Sequence, residues 1–123
     1  MPPPTIVIAQ HDQTIAQGLA NELQAHFTRV AVTGDAMELR TMLQRHEVRV
    51  AVLDLELVNL DEVQQLASSH GGLTIVCTHR SPNEHMWMAA LNAGAVEFCH
   101  SQDVRSILRA SRTAAKRNMQ MGL

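Results

Sequence analysis

VAVLDLELVNLDEVQQL, residues 50–66, changes its hydrophobic period within a few positions. With Val48 in front of it, the run Val48–Leu53 is apolar almost throughout and ends at Asp54. That is the signature of a short strand buried on both faces. From Leu60 to Ser69 the apolar positions fall at helical spacing, with Val63, Leu66 and Ala67 directed inward, so this segment predicts a helix. A doubly buried strand feeding an amphipathic helix is half of a βαβ unit.

The same alternation recurs on both sides. Upstream, TIVIA (5–9) reads as a strand. Asp12 reads as the N-cap of a helix over about 13–26, where Ile15, Leu19 and Leu23 repeat. RVAVT (29–33) reads as a second strand stopped by Gly34. Asp35 then caps a helix with Leu39 and Leu43 inside, and Glu38 completes a capping-box pattern. Downstream, His70-Gly71-Gly72 stops the third helix and Leu73–Thr78 is the fourth strand. Ser81-Pro82 predicts the start of a fourth helix that runs to Ala93 and ends at Gly94. Val96–Cys99 is the fifth strand. Asp103 caps a last helix lined by Val104, Ile107, Leu108 and Ser111, with Lys116 and Arg117 near its C-terminal dipole. The fold class that follows is α/β, a (βα)5 doubly wound five-stranded parallel sheet with right-handed crossovers.

Composition narrows the function. The 123 residues fit one domain, and 46 % hydrophobic against 18 % charged excludes disorder. Phe27, Trp87 and Phe98 are the only aromatics, so the core must be aliphatic. A net charge of −2 argues against a nucleic-acid surface. Cys77 and Cys99 sit in apolar runs and read as buried thiols, which suits a reducing, cytoplasmic setting. MPPPT lacks the features of a signal peptide, and no apolar run is long enough to span a membrane. Residues 1–4 are expected to be a disordered leader, 5–117 the domain and 118–123 a tail. The first strand–helix turn, AQHDQT, is not a glycine-rich phosphate cradle, and there is no nucleophile elbow, so no enzyme is expected.

In such sheets ligands bind beyond the carboxyl ends of the strands. There the sequence places Gln10, His11 and Asp12 after the first strand and Asp54 and Glu56 after the third. Thr78, His79 and Arg80 stand at the end of the fourth, and His100, Ser101 and Gln102 follow the fifth. His11, His79 and His100, with Asp54 between, offer imidazoles and a carboxylate, donors that suit Zn²⁺, Ni²⁺ or Cu²⁺.

Three segments, VAVLDLELVNLDEVQQL (50–66), TIVCT (74–78) and NAGAVEF (92–98), together resemble the receiver domain of bacterial response regulators, the CheY-like or flavodoxin-like fold. The resemblance spans roughly 5–117 and implies strand order 2-1-3-4-5. It places Asp54 at the phosphoacceptor position, Thr78 at the hydroxyl that senses the phosphoryl group, and Phe98 at the aromatic switch. It also implies a histidine kinase or another signalling protein as partner. A last helix–strand–helix face carrying Met86, Trp87 and Phe98 would serve that partner or a homodimer.

The chain departs from the family at the acidic pocket. The family's acidic pair falls on Gln10 and His11, with Asp12 one place late. Its Lys falls on Ser101, its following Pro on Gln102, its small residue after Thr on His79, and its Pro beyond the phosphoacceptor on Val58. Phosphoryl transfer to a carboxylate needs the phosphoryl charge neutralised, and Mg²⁺ prefers oxygen ligands. Each unit-charge attraction at ~4 Å is worth roughly 4 kcal/mol at an effective dielectric near 20. Loss of two carboxylates therefore makes Mg²⁺ binding weak or absent, and Arg80 is the nearest candidate for the missing cation. The expectation is a degenerate receiver in a two-component phosphorelay, acting through protein–protein contact. A conventional receiver phosphorylated at Asp54 and a transition-metal module are the alternatives.

Overall fold

The change of period at 48–66 is realised as β3 (Val48–Asp54) followed by α3 (Leu60–Ser69). A computed structural model describes residues 5–121, with side chains described as far as Arg112. The leader (1–4), the side chains of Lys116 and Arg117, and the end of the tail lie outside the described residues. The other elements are β1 (Thr5–Ala9), α1 (Gln13–Leu23), β2 (Arg29–Thr33), α2 (Ala36–Arg45), β4 (Thr74–His79), α4 (Glu84–Ala93), β5 (Glu97–His100) and α5 (Val104–Met121). The backbone of α5 thus continues past position 117. All strand pairs are parallel, in the order β2-β1-β3-β4-β5.

Strand alternation divides the core into two layers. Ile6, Ile8, Val50, Val52, Val76 and Cys99 pack with Leu19 and Leu23 of α1 and Ile107 of α5. The intervening positions, among them Val7, Leu53, Ile75, Cys77 and Phe98, pack with Leu39 and Leu43 of α2, Val63 and Leu66 of α3, and Ala90 of α4. Helices on both faces make β3 and β4 almost wholly buried, which is why they read as unbroken apolar runs. Burial pushes the Cys77 thiol up to about 12, and the Cys99 thiol likewise, so both are inert fillers of these layers.

Most caps agree with their sequence signals. Asp12 Oδ1 accepts the N–H groups of Thr14 and Ile15 and Asp103 accepts that of Ser106, while α3, for which no cap was expected, is capped by Asn59, which accepts Glu62 N. Four local expectations are corrected. α1 closes at Leu23 rather than near 26, because the N–H groups of His26 and Phe27 both turn back to Leu23 O. Asp35 caps α2 through Met37 N, but its own N–H donates to Thr33 Oγ1, so no capping box with Glu38 is needed. The cap of α4 is Asn83, which accepts Met86 N at 2.8 Å, so Ser81-Pro82 lies ahead of the helix. β4 and β5 each start and end one residue later than read, at Thr74–His79 and Glu97–His100. Gly94 ends α4 as expected, with φ +119°.

The shifted start of α4 also sets which side faces in. Met86, Ala90 and Ala93 face the core at i, i+4, i+7, with Ala90 fully buried. Met86, expected on the partner face with Trp87, turns inward. Trp87 and Met88 take the outer positions instead, at 42 % and 51 % exposure.

Candidate functional site

Sheet parity carries four side chains to one place. Asp54 and Thr78 are register partners on β3 and β4. Gln10 and Ser101 continue the parity of Ile8 and Cys99 just past β1 and β5. All four are buried, and all stand at the carboxyl edge on the side covered by α1 and α5. Each strand therefore ends by replacing its next core residue with a polar one.

Asp54 is held from two loops. Its Oδ1 accepts Glu56 N at 2.9 Å, and its Oδ2 accepts His11 N at 3.2 Å. The His11 side chain also turns onto it, with Nδ1 in direct hydrogen-bond contact with Oδ2. Nε2 of the same ring lies 3.9 Å from Glu56 Oε2, so one imidazole is set between two carboxylates. The His11 pKa is raised, first by the hydrogen bond to Asp54. The charges of Asp54 and Glu56 add to it, while desolvation and the Arg80 charge oppose it. Arg80 meets Glu56 through Nε at 3.1 Å rather than Asp54. It neutralises the rim and not the buried carboxylate.

The remaining candidates divide clearly. Asp12 spends its carboxylate on the α1 cap, and Gln10 Oε1 accepts Asp12 N at 3.1 Å, which ties that loop to itself. Ser101 N donates to His79 O. Val58 is buried, and its N–H donates to Asp54 O at 2.9 Å, a bond that a proline there could not make. Thr78 Oγ1 is buried and has no hydrogen-bond partner among the described residues. Its strand position is next to Asp54 on the same side of the sheet, so an unused donor is buried beside that carboxylate.

The histidine triad is corrected. His79 and His100 are register partners one position beyond Thr78 and Cys99, so they have the opposite parity and leave the sheet on the α3–α4 side. Their Nδ1 atoms accept the N–H groups of Ser81 and Gln102 at 2.9 and 3.0 Å and act as local turn locks. Among the described residues, His11, Asp54 and Glu56 are the group whose donor atoms lie together, all within 4.8 Å of one another. Glu56 is the member of that group not read as a ligand. Its position two residues after Asp54, on the loop that turns back over the strand end, was the available signal.

No protein-family model matches the sequence, and no curated protein matches it. The three-dimensional comparison is decisive. A CheY-like response regulator receiver domain protein from Methanospirillum hungatei JF-1 superposes with TM-score 0.85 at 15 % identity, covering 96 % of this chain and 98 % of that one. A response regulator from Thermotoga maritima gives TM-score 0.82 at 15 % identity, covering 93 % and 98 %. The chain has the receiver fold. A response regulator protein from Burkholderia pseudomallei with a phosphorylated aspartic acid, calcium ion and citrate gives TM-score 0.79 at 18 % identity, covering 97 % of this chain and 72 % of that one.

Asp54 and Thr78 are register partners one strand apart and face the same side of the sheet. Phe98 does not lie on the α4–β5–α5 surface. It shares the parity of Cys77, is 8 % exposed and packs in the layer with Ala90 and Ala95. Exposed large apolar residues in this part of the chain are Trp87 and Met88 on α4 and Val96 just ahead of β5. Among the described residues, no helix is long and apolar enough to cross a membrane.

Proposed function

We propose that this chain is a receiver-type signalling module of a two-component or related phosphorelay pathway, working by protein–protein interaction, in which Asp54 accepts phosphate poorly. The observation that carries this reading is the His11 imidazole seated on Asp54 Oδ2, the oxygen that an incoming phosphoryl group or its metal would otherwise meet. Around it, the positions that would hold two metal-binding carboxylates and a lysine carry Gln10, His11 and Ser101. Among the described residues His11 is the cationic side chain hydrogen-bonded to Asp54, and Arg80 is held by Glu56, whereas a transferred phosphoryl group needs more than one positive charge. Mg²⁺ is a poor fit for a pocket that offers an imidazole nitrogen. The chain is a binding module rather than an enzyme in this reading. Its partner is a histidine kinase or another signalling protein, or a second copy of the chain. The exposed trio Trp87, Met88 and Val96 supports contact through the α4–β5–α5 face. The buried reduced thiols accord with a cytoplasmic setting.

Incubation with acetyl phosphate and Mg²⁺, followed by intact-mass measurement, tests the reading. The unmodified chain should label weakly or not at all. The combined variant Gln10→Asp, His11→Asp, Ser101→Lys should label at Asp54, and each single change should do little, because the three groups act together on one phosphoryl. Substantial labelling of the unmodified chain at Asp54 favours the conventional receiver, for which the buried Asp54–Thr78 pair is the supporting feature, and ends the degenerate reading.

A further inference from the structure

We propose that His11, Asp54 and Glu56 form a site for a divalent transition metal of the zinc class, bound through one imidazole nitrogen and two carboxylate oxygens. The site shares a pocket with the reading above but needs no signalling role to exist. Its donors come from two loops at adjacent strand ends, and their ligand atoms already lie within 4.8 Å of one another. Around a tetrahedral ion with bonds near 2.0–2.1 Å, neighbouring donors stand about 3.4 Å apart. Closing the difference falls to His11 and Glu56, whose side chains stand at the exposed rim, while Asp54 is fixed by the N–H groups of His11 and Glu56.

The donor set selects the ion. Imidazole with carboxylates suits Zn²⁺ and its neighbours, whereas Mg²⁺ wants six oxygens in an octahedron and keeps its water. The second observation is independent of the cluster. Thr78 Oγ1, 1 % exposed and without a partner among the described residues, stands one strand over on the same side as Asp54. A buried hydroxyl without a partner is uncommon, and this one stands beside the Asp54 ligand in the sheet register. Two cations already present oppose the ion: the proton between His11 Nδ1 and Asp54 Oδ2, and the Arg80 guanidinium on Glu56. The metal must displace the proton and bind beside the guanidinium, which holds Oε1 and leaves Oε2 toward His11, and this supplies a specific test.

Calorimetry of the full metal-free chain with ZnCl2 at neutral pH, with MgCl2 in parallel and no phosphodonor, reads the site directly. One Zn²⁺ per chain is expected, with Mg²⁺ far weaker. His11→Gln and Glu56→Gln should each weaken Zn²⁺ binding by about tenfold or more, the scale of one lost donor. Arg80→Gln should tighten it several-fold by removing the competing guanidinium, and His79→Gln and His100→Gln should leave it unchanged. Glu56 and Arg80 stand at the rim, so their variants fold even if the His11 variant does not. Absence of stoichiometric Zn²⁺ binding, or Zn²⁺ binding indifferent to Glu56→Gln, overturns the proposal. Either result leaves the acetyl phosphate outcome untouched, so this inference and the signalling reading fail separately.

Discussion

Removal of the His11 imidazole from Asp54 should have a measurable energy with a defined pH dependence in metal-free buffer. Four proteins form the cycle: the unmodified chain, His11→Ala, Asp54→Asn and the double variant. Asp54 is 1 % exposed, and the His11 side chain 41 %. Hydrogen bonds to charged groups contribute about 1.5–3 kcal/mol. Half of this pair is in water, which moves the expectation toward the ~0.2–1 kcal/mol of exposed pairs. Asp54 also keeps the N–H groups of His11 and Glu56 after the imidazole is gone, so it is not left bare, and the ~3–5 kcal/mol of a broken buried pair does not apply. A coupling of about 1–2 kcal/mol is expected near pH 6, read from urea unfolding followed by circular dichroism. His11→Ala alone should lower Tm by roughly 4–8 °C. The His11 pKa is raised on folding above its ordinary 6.5, with the Asp54 hydrogen bond as the largest cause. A raised basic group stabilises fully below its unfolded pKa, and that contribution is lost as pH rises through the folded value. The coupling should therefore shrink by about half or more between roughly pH 6 and pH 9, leaving the neutral hydrogen bond. A coupling that grows over that interval, or one below ~0.3 kcal/mol near pH 6, would refute the assignment of His11 as the cation on Asp54.

Two further outcomes test the frame around the site. Gly94→Ala forces a side chain into φ +119° and sets a Cβ 2.7 Å from Ala67 Cβ, so about 2–4 kcal/mol of stability should be lost in thermal melts; a melt unchanged within ~2 °C would mean that α4 does not end in a left-handed cap against α3. Trp87→Glu, at a side chain 42 % exposed, should change stability by no more than about 1 kcal/mol. The same variant should weaken self-association or partner binding in sedimentation across a concentration series, and a steep fall in Tm would instead mark Trp87 as part of the core.

The strands were legible because their physics is local. TIVIA and RVAVT are β-branched runs stopped by polar or glycine residues, and β1 and β2 begin and end where those runs do. The pocket was legible as strand ends, and alternation could have taken it further. Counting by twos from Val76 keeps Thr78 with the α1–α5 layer and sends His79 to the other side; counting from Cys99 does the same for Ser101 and His100. That parity excludes a His11–His79–His100 site and buries Phe98 beside Cys77. α4 resisted for a different reason. MWMAAL is apolar all round, so its period carries no phase, and only the Asn83 cap decides that Met86 and Ala90 face in. The contact of His11 with Asp54 joins positions 43 residues apart across a loop, where side-chain direction follows the turn and not any repeat.

That contact makes one carboxylate oxygen the common currency of the site. Asp54 Oδ1 is taken by Glu56 N, whereas Oδ2 carries both the backbone and the ring of His11. Attack on a phosphoryl donor needs a free lone pair on a carboxylate oxygen. Oδ1 keeps one lone pair beside its bond from Glu56 N, whereas Oδ2, with two donors already on it, becomes available only when the imidazole swings away. A metal at His11 and Glu56 must likewise replace the proton shared with Oδ2. On the proposals above, the proton and a transition metal compete for Oδ2, and each raises the apparent dissociation constant of the other by the linkage that governs ligands for one site. Acidification from neutral pH should therefore weaken Zn²⁺ binding in calorimetry, because protonation of His11 fills the position the ion requires.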